Sequence, residues 1–251
     1  MGFEIAGKAA LVTGANRGIG KAIVEALLER GASRVWAGAR SVETLSALKA
    51  AHGSRLEVLQ LDVTREADVA AAARKATDVA LLVNNAGVAN AIGAPATDAE
   101  WLRVGRQEFD INFFGSFAVS QAFGPALARN RGALVNVVSV AGLVNFPMLL
   151  SYSASKAALH SLTQGLRAAL RGQGIQVFGV YPGPVDTEMA KPIPMAKAPA
   201  GDVARAILDG LAAGTEDIFP DPMAKQFGES FLKSPKAVEE QLAGAGGVDA
   251  P

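Results

Sequence analysis

The sequence predicts an α/β fold in a single domain, with a doubly wound parallel sheet of about seven strands and helices on both faces. Short apolar runs alternate with longer alanine-rich segments along most of the chain. This alternation is typical of strands and helices that follow each other in βαβ order. The length of 251 residues agrees with one domain, because α/β folds reach this size without dividing.

The apolar runs are interpreted as strands. Each run is short, is bounded by glycine or polar residues, and is apolar throughout, as expected when helices cover both faces of a parallel sheet. In chain order the predicted strands are 9–13, 34–39, 56–63, 79–84, 133–139, 175–181 and 217–220.

The segments between the strands are interpreted as helices, because their apolar residues recur at spacings of three and four. They are 22–30, 41–52, 66–76, 151–162 and 202–213. Residues 184–200 are rich in proline and carry methionines, so we predict a loop there that serves as a substrate lid. The glycine-rich stretch 243–251 is predicted to be a disordered tail.

Composition excludes several classes of function. The chain has a formal net charge of zero, so we expect neither a nucleic-acid partner nor an anionic membrane partner. It has no cysteine and two histidines, so we expect no disulfide, no cysteine nucleophile and no metal. The N-terminal residues lack the basic flank and apolar stretch of a signal peptide, and we expect a cytoplasmic protein.

The stretch LVTGANRGIGKA, residues 11–22, has three possible interpretations. A triphosphate-binding loop needs a glycine five residues before Gly20 and a serine or threonine after Lys21, but both positions hold alanine. Gly14, Gly18 and Gly20 lie between a strand and a helix, where backbone amides can face the pyrophosphate of a dinucleotide. A glycine-rich turn without a cofactor remains possible from this motif alone.

Three side chains fit the reduction of a carbonyl. Hydride transfer leaves negative charge on an oxygen, which requires a proton donor and a hydrogen bond aimed at that oxygen. Tyr152 and Lys156 are four residues apart, on one face of the predicted helix 151–162. We expect the lysine charge to lower the pKa of the tyrosine. Ser139 ends a predicted strand and can polarise the carbonyl oxygen; its alternative role is to cap the turn.

Together these motifs resemble the short-chain dehydrogenase/reductase family over about residues 7–220. The resemblance is carried by Thr13-Gly14-x-x-x-Gly18-x-Gly20, Asn84-Asn85-Ala86-Gly87, Asn112, Ser139, Tyr152-x-x-x-Lys156 and Pro182-Gly183. It implies a Rossmann-type sheet, a nicotinamide cofactor and a catalytic tetrad of Asn112, Ser139, Tyr152 and Lys156. In this family the asparagine holds a water near the lysine; its alternative role here is to pair with neighbouring backbone.

The resemblance also implies which residues contact the cofactor. It assigns this role to Gly14, Asn16, Arg17, Gly18, Ile19, Gly20, Arg40, Ser41, Asp62, Val63, Asn85, Ala86, Gly87, Tyr152, Lys156, Pro182, Gly183, Val185 and Thr187. Where NAD-binding folds place an acid after the second strand, this chain has Ala39 followed by Arg40. Arg40 and Arg17 suit the 2′-phosphate of NADP, so we predict that NADP(H) is preferred over NAD(H).

The substrate is predicted less sharply than the cofactor. Apolar residues lie between Ser139 and Tyr152 and in the predicted lid, and they indicate a hydrophobic ketone or secondary alcohol. The predicted substrate contacts are Ser139, Leu143, Val144, Phe146, Tyr152 and Met189. The same side chains can instead pack against each other or against a second subunit.

Two other functions remain as alternatives. A 3-oxoacyl-carrier-protein reductase would use Arg129, Arg131 and Arg171 to dock an acidic carrier. A non-catalytic NADP-binding regulator would share the fold. A serine hydrolase is disfavoured, because Ser139 is not in a Gly-x-Ser-x-Gly turn.

The resemblance further implies a homodimer or homotetramer. Its contacts would come from helices at about 107–129 and 151–171, with Phe113, Phe114, Phe117, Leu159 and Leu166 as candidates. Apolar helix faces look the same whether they meet a sheet or a subunit.

Overall fold

A computed structural model describes residues 2–90, 99–192 and 194–245. Its centre is a parallel sheet of seven strands in the order β3-β2-β1-β4-β5-β6-β7. The chain moves outward from β1 to β3 and then crosses back to β4, so the strand order reverses between β1 and β4. The strands are β1 Ala9–Thr13, β2 Arg34–Ala39, β3 Leu56–Gln60, β4 Val79–Asn84, β5 Ala133–Val137, β6 Gln176–Val180 and β7 Asp217–Ile218.

All seven strands lie where the apolar runs predict them, but four of them end earlier. The runs continue through Leu61, Val138 and Tyr181, which lie just beyond the strand ends and are buried. Their amides still donate hydrogen bonds to the neighbouring strands, at Ala39, Val180 and Ile218. The three donor residues begin the loops at the carboxyl edge of the sheet. Hydrophobicity therefore marks burial correctly there, and it overstates the length of the strand.

Helices cover both faces of the sheet. They are α1 Gly18–Glu29, α2 Ser46–His52, α3 Glu66–Lys75, α4 Glu100–Phe109, α5 Ser116–Arg129, α6 Leu150–Leu170, α7 Ala200–Ala213, α8 Pro222–Lys233 and α9 Pro235–Ala245. The predicted helix 41–52 is divided into a 3-10 turn, Val42–Leu45, and α2. Between α4 and α5 the helix continues through a π-helical turn, Asp110–Gly115.

The alternation of side chains in β1 explains why there are two helical layers. Val12 faces a buried cluster that includes Leu27 of α1 and Leu211 of α7. Leu11, its neighbour, faces the opposite cluster with Phe123 of α5. Successive side chains of a strand point to opposite faces, so an apolar strand must be covered on both sides.

The N-terminal segment lies against the first of these layers. The Phe3 amide donates a hydrogen bond to the Leu211 carbonyl at 2.8 Å, and the Gly7 amide donates to Gly31 at 2.8 Å. The side chains of Phe3 and Ile5 are buried in the same cluster. This segment therefore ties the end of α7 to the turn that follows α1.

Two of the predictions outside the site need correction. The predicted tail 243–251 begins inside α9, which continues to Ala245, while its remaining residues are outside the described part of the chain. Leu159 is 1% exposed and packs inside the protein, so it does not supply a subunit contact. Within the described residues, no helix has both the length and the apolar character needed to cross a bilayer.

Candidate active site

The turn between β1 and α1 is packed tightly against the loop that follows β4. Gly14 has φ +63°, and a Cβ there would lie 2.9 Å from the Ala86 Cα. The Thr13 hydroxyl accepts hydrogen bonds from the Asn85 and Ala86 amides, both at 3.0 Å. The Asn85 side chain donates to the Thr13 carbonyl at 2.9 Å. Asn85 therefore joins the two loops on either side of the point where the strand order reverses.

The N-terminus of α1 is suited to an anion. No side chain caps it, and its first turn has no acidic residue, so its free amides face outward with the positive end of the helix dipole. Thr187 comes from the loop after β6 and approaches closely: a Cβ on Gly18 would lie 3.0 Å from the Thr187 Cγ2. The glycine turn and the loop after β6 thus form two sides of one cradle that fits a pyrophosphate.

The side of this cradle that would hold the ribose carries two exposed arginines, Arg17 and Arg40. Burial raises the pKa of Asp62, but hydrogen bonds from Thr64 and the charges of Arg40 and Arg65 outweigh burial and hold it below its usual value. The positive charge of Arg40 therefore acts on Asp62, just beyond the end of β3. The Ser41 hydroxyl donates to the Glu43 carboxylate, so a negative charge also lies at this edge.

Tyr152 and Lys156 lie one turn apart on α6, beside the end of β5. The Lys156 Nζ is 5.8 Å from the centroid of the Tyr152 ring and donates to the Val137 carbonyl at 2.8 Å. Gly87 borders the lysine from the other side, because a Cβ there would lie 3.5 Å from the Nζ. Burial lowers the pKa of Lys156 to about 8.

The pKa of Tyr152 differs from the expectation. Burial raises it to about 12, the Ser139 hydroxyl lowers it, and the negative charge of Glu108 raises it. Lys156 therefore does not bring the pKa of this phenol toward neutrality, since burial disfavours the charged forms of both side chains. At neutral pH, Tyr152 is protonated and available as a proton donor.

Ser139 lies in the loop after β5, where its hydroxyl has the capping role that was the alternative and also lies beside Tyr152. Its hydroxyl accepts a hydrogen bond from the Ala141 amide at 3.1 Å, which caps the following turn. It also interacts with Tyr152 and donates to the Pro182 carbonyl at 3.4 Å. The hydroxyl thus connects Tyr152 with the Pro182-Gly183 loop.

Asn112 is buried in the π-helical turn between α4 and α5. Its side chain pairs with the Val88 backbone, accepting from the amide and donating to the carbonyl, both at 2.9 Å. It also donates to the Ser155 hydroxyl at 2.9 Å. The side chain therefore has the backbone-pairing role that was kept as an alternative. π-Helical turns are frequent at functional sites.

The loop after β6 is fixed by a residue that the sequence did not single out. The Gly183 amide donates to one carboxylate oxygen of Asp221 at 2.9 Å, and the Ala224 amide donates to the other at 2.9 Å, capping α8. Farther along the predicted lid, Val185 forms a bridge with Ala198. The pair Asp221-Pro222 is a typical helix start, and this signal could have revealed α8.

The predicted substrate residues are divided between a cleft and a covered surface. Phe146 stacks on Phe227 of α8, with ring centroids 5.8 Å apart, so α8 covers part of the loop after β5. Leu143 and Val144 line a cleft of about 530 Å³ together with Asn145, Phe231, Pro235, Lys236 and Glu239. Met189 is exposed. The C-terminal helices α8 and α9 therefore form one wall of this cleft, which the sequence did not predict.

Comparison with known proteins assigns the chain to a family. Residues 8–198 match the family model described as short chain dehydrogenase. The chain belongs to the short-chain dehydrogenase family. This short-chain dehydrogenase is 39% identical over 198 residues to galactitol 2-dehydrogenase of Rhizobium johnstonii, an alignment that covers 74% of this chain and 75% of that protein.

Solved structures agree with the family and with the fold. A short chain dehydrogenase from Burkholderia cenocepacia, solved in complex with NADP, has a TM-score of 0.89 and 38% identity over 96% of this chain and 99% of its own. A short-chain dehydrogenase from Streptomyces avermitilis has a TM-score of 0.83 and 29% identity over 96% and 98% of the two chains. The predicted doubly wound sheet is confirmed.

The described histidine and acidic side chains of this short-chain dehydrogenase do not support serine-hydrolase or metal chemistry. The His160 Nδ1 is 2.8 Å from the Tyr181 hydroxyl, so the ring serves that contact rather than activating Ser139. Within the described residues, no three acidic or histidine side chains cluster in a way that could hold a metal ion.

Proposed function

We propose that the chain is an NADP(H)-dependent oxidoreductase that transfers a hydride between nicotinamide and a hydrophobic ketone or the corresponding secondary alcohol. The supporting observation is the convergence of Tyr152, Lys156 and Ser139 at the carboxyl edge of the sheet, beside the glycine cradle. Ligands of open α/β sheets bind at this edge, where the strand order reverses.

The residues present fit a nicotinamide cofactor, which when bound supplies or accepts the hydride. Gly14 and the uncapped N-terminus of α1 would hold the pyrophosphate. Tyr152, protonated at neutral pH, would donate a proton to the oxygen of the reduced carbonyl and take it back in the reverse direction. The Ser139 hydroxyl would donate a hydrogen bond to the same oxygen and stabilise its developing charge.

Preference for NADP(H) is supported by charge. The last residue of β2 is the buried Ala39 and not an acid, and Arg40 is exposed directly after it, with Arg17 on the adjacent turn. A guanidinium binds a phosphate through two parallel hydrogen bonds, which a ribose hydroxyl cannot match. The NADP-bound relative from Burkholderia cenocepacia supports the same choice.

An apolar substrate is supported by the cleft lined by Leu143, Val144 and Phe231. The relative named galactitol 2-dehydrogenase favours a second candidate, a polyol with a secondary alcohol. The carrier-protein alternative is not favoured, because Arg129, Arg131 and Arg171 lie before β5 and β6, at the amino edge of the sheet. The proposed catalytic residues lie at the opposite, carboxyl edge.

The first experiment tests catalysis. The absorbance of the reduced nicotinamide is followed with NADPH and with NADH, against apolar ketones, apolar secondary alcohols and polyols. We expect turnover of the apolar compounds, and we expect Tyr152→Phe to lower it by about 10²-fold or more because the proton donor is lost. The thermal shift produced by the cofactor should be unchanged in this variant. A binding-only regulator would show the thermal shift and no turnover in either protein.

The second experiment tests the choice of cofactor. Arg40→Ala should weaken NADPH binding by about 10-fold or more, since a charge-assisted bond to the phosphate is lost, and should leave NADH binding nearly unchanged. Dissociation constants are measured by titration for both cofactors. Arg129→Ala, also exposed but at the amino edge, is the matched control. Equal weakening of both cofactors in Arg40→Ala would remove Arg40 from the phosphate site.

A further inference from the structure

One face of α4 and of the turn that follows it is built to contact α6. Gly105 allows close approach, because a Cβ there would lie 3.1 Å from the Ser151 Cβ. The next residue on this face, Glu108, accepts a hydrogen bond from the Ser151 hydroxyl at 2.5 Å. One turn later, Asn112 donates to Ser155 at 2.9 Å. These two bonds hold the face of α6 directly beside the one that carries Tyr152 and Lys156.

The same two side chains also hold the loop after β4. The Val88 amide donates to Asn112 at 2.9 Å, and the Asn90 amide donates to Glu108 at 2.8 Å. Two residues of extended chain span about 6.6 Å, and four residues of helix rise about 6.0 Å. The loop therefore pairs with the helix in register, with Val88 opposite Asn112 and Asn90 opposite Glu108.

Burial of the Glu108 carboxylate at this position is energetically unfavourable. Its side chain is 0% exposed, and its described hydrogen-bond partners are the Asn90 amide, the Asn90 side chain at 3.4 Å and the Ser151 hydroxyl, all uncharged. Burial of a carboxylate is costly unless it is compensated. A glutamine could satisfy the same three groups, so hydrogen bonding alone does not require the charge.

We propose that Glu108 is a positioning residue of the hydride-transfer site, which clamps residues 88–90 to the start of α6, at the residue before Tyr152. This inference rests on the proposed function. The clamp fixes the helix that carries the proton donor relative to the loop that borders Lys156.

Two charged groups lie near Tyr152: Lys156 on its own helix, and Glu108 on α4, which accepts a hydrogen bond from Ser151, the residue before Tyr152. Ser139 contributes an uncharged hydroxyl from the loop after β5. A nearby carboxylate disfavours the tyrosinate, so its removal lowers the pKa of Tyr152. In alcohol oxidation Tyr152 acts as the base, and the rate rises with pH as the phenol ionises. Removal of the Glu108 charge should therefore move that rise to lower pH.

Three variants separate the clamp from the charge. Glu108→Ala removes both, Glu108→Gln keeps the hydrogen bonds and removes the charge, and Ser151→Ala keeps the charge and removes the tie to α6. Glu29→Gln, an exposed glutamate on α1, is the control for loss of one negative charge. The full chain is used throughout, with the pH dependence of kcat/KM for alcohol oxidation and amide hydrogen exchange of residues 86–90 as readouts.

We expect Glu108→Ala to speed exchange of the Asn90 amide by about tenfold or more, since its acceptor is lost. The same variant should lower kcat by about 10-fold to 100-fold through misplacement of Tyr152. Ser151→Ala should lower kcat less and leave the pH profile in place. Glu108→Gln should keep the exchange protection and shift the pH profile to lower pH, and Glu29→Gln should change neither.

Unchanged exchange in Glu108→Ala would overturn the clamp, and an unshifted profile in Glu108→Gln would overturn the role of the charge. The exchange measurement needs no turnover. If the wild-type chain oxidises no alcohol, the proposed function fails while the clamp is still tested.

Discussion

At the scale of single residues, the site concentrates groups that are costly to bury. Lys156 is 4% exposed, and burial lowers its pKa to about 8 from an ordinary value near 10.4 in an unfolded chain. Between these two values the unfolded chain binds more protons than the folded one, so stability rises with pH across this window. Below about pH 8, the folded state carries the full cost of the buried charge.

We therefore predict that the buried Lys156 charge lowers the free energy of unfolding. We expect Lys156→Met, an apolar side chain of similar length, to abolish turnover and to raise the free energy of unfolding at pH 7 by about 2 kcal/mol. That value is the gain from removing the buried charge, less about 1 kcal/mol for the lost hydrogen bond from Lys156 to the Val137 carbonyl. Urea unfolding at pH 7 and pH 10 measures it, with the exposed Lys225→Met as control. The gain should shrink toward pH 10, and a variant less stable than wild type at pH 7 would contradict the argument.

Sequence reasoning located the site residues that have a characteristic spacing. Tyr152 and Lys156 are found from one helical turn of spacing and from their chemistry, and Ser139 from its place after a strand. Glu108 was missed because an isolated acid in a sequence gives no sign of whether it is buried. Asp221 did carry a signal, the Asp-Pro start of a helix, but that signal does not show that its carboxylate also holds Gly183. The raised pKa of Tyr152 was missed for a similar reason, since burial by distant segments outweighs the neighbouring lysine.

At the scale of elements, α8 is linked to the cofactor cradle through Asp221. This carboxylate caps α8 through the Ala224 amide and holds the Gly183 amide. A helix that follows the whole sheet in sequence therefore supports the loop where the nicotinamide would bind.

We expect Asp221→Ala to lower the free energy of unfolding by about 2 kcal/mol, since a helix cap and a second hydrogen bond from a buried amide are lost together. The thermal shift caused by NADPH should also decrease, because Gly183 loses its anchor. Asp221→Asn retains one acceptor, so its free energy of unfolding and its thermal shift should lie between those of wild type and of Asp221→Ala. Chemical unfolding and thermal shift measure the effects, and wild-type values for both quantities in Asp221→Ala would contradict the role of this residue.

Element types were largely predictable, and their contacts were not. Periodicity identifies strands such as β1 and helices such as α3 because both patterns are local. The order of strands in the sheet was not predicted, since pairing between distant segments leaves no periodic signal. The stacking of Phe227 on Phe146 was not predictable for the same reason, because these residues are far apart in the chain.

At the scale of the whole molecule, an aromatic cluster is exposed on the described surface. Phe114 is 55% exposed and Phe117 is 42% exposed, and both rings lie next to Phe113, with centroid distances of 4.9 Å and 6.4 Å. These three residues are in the predicted subunit-contact helices. Exposed aromatic clusters are typical of protein interfaces.

We therefore expect the chain to self-associate through this face. The double variant Phe114→Glu/Phe117→Glu should dissociate into smaller species in light scattering, because the charges would be desolvated in the interface. Leu232→Glu, which changes another exposed apolar side chain, on α8, is the matched control. The same mass for wild type and the double variant would exclude this face as the interface.

The hydrogen bond between Phe3 and Leu211 has a consequence for how the chain folds as it is made. Phe3 finds this partner only after more than two hundred further residues have been synthesised, because Leu211 lies that far along the chain. Contacts this distant in sequence raise the contact order and slow folding, since a long loop must be closed before the contact stabilises anything. We expect the N-terminal segment to be among the last parts of the molecule to dock, and until then the apolar side chains of Phe3 and Ile5 are exposed to solvent and to chaperones.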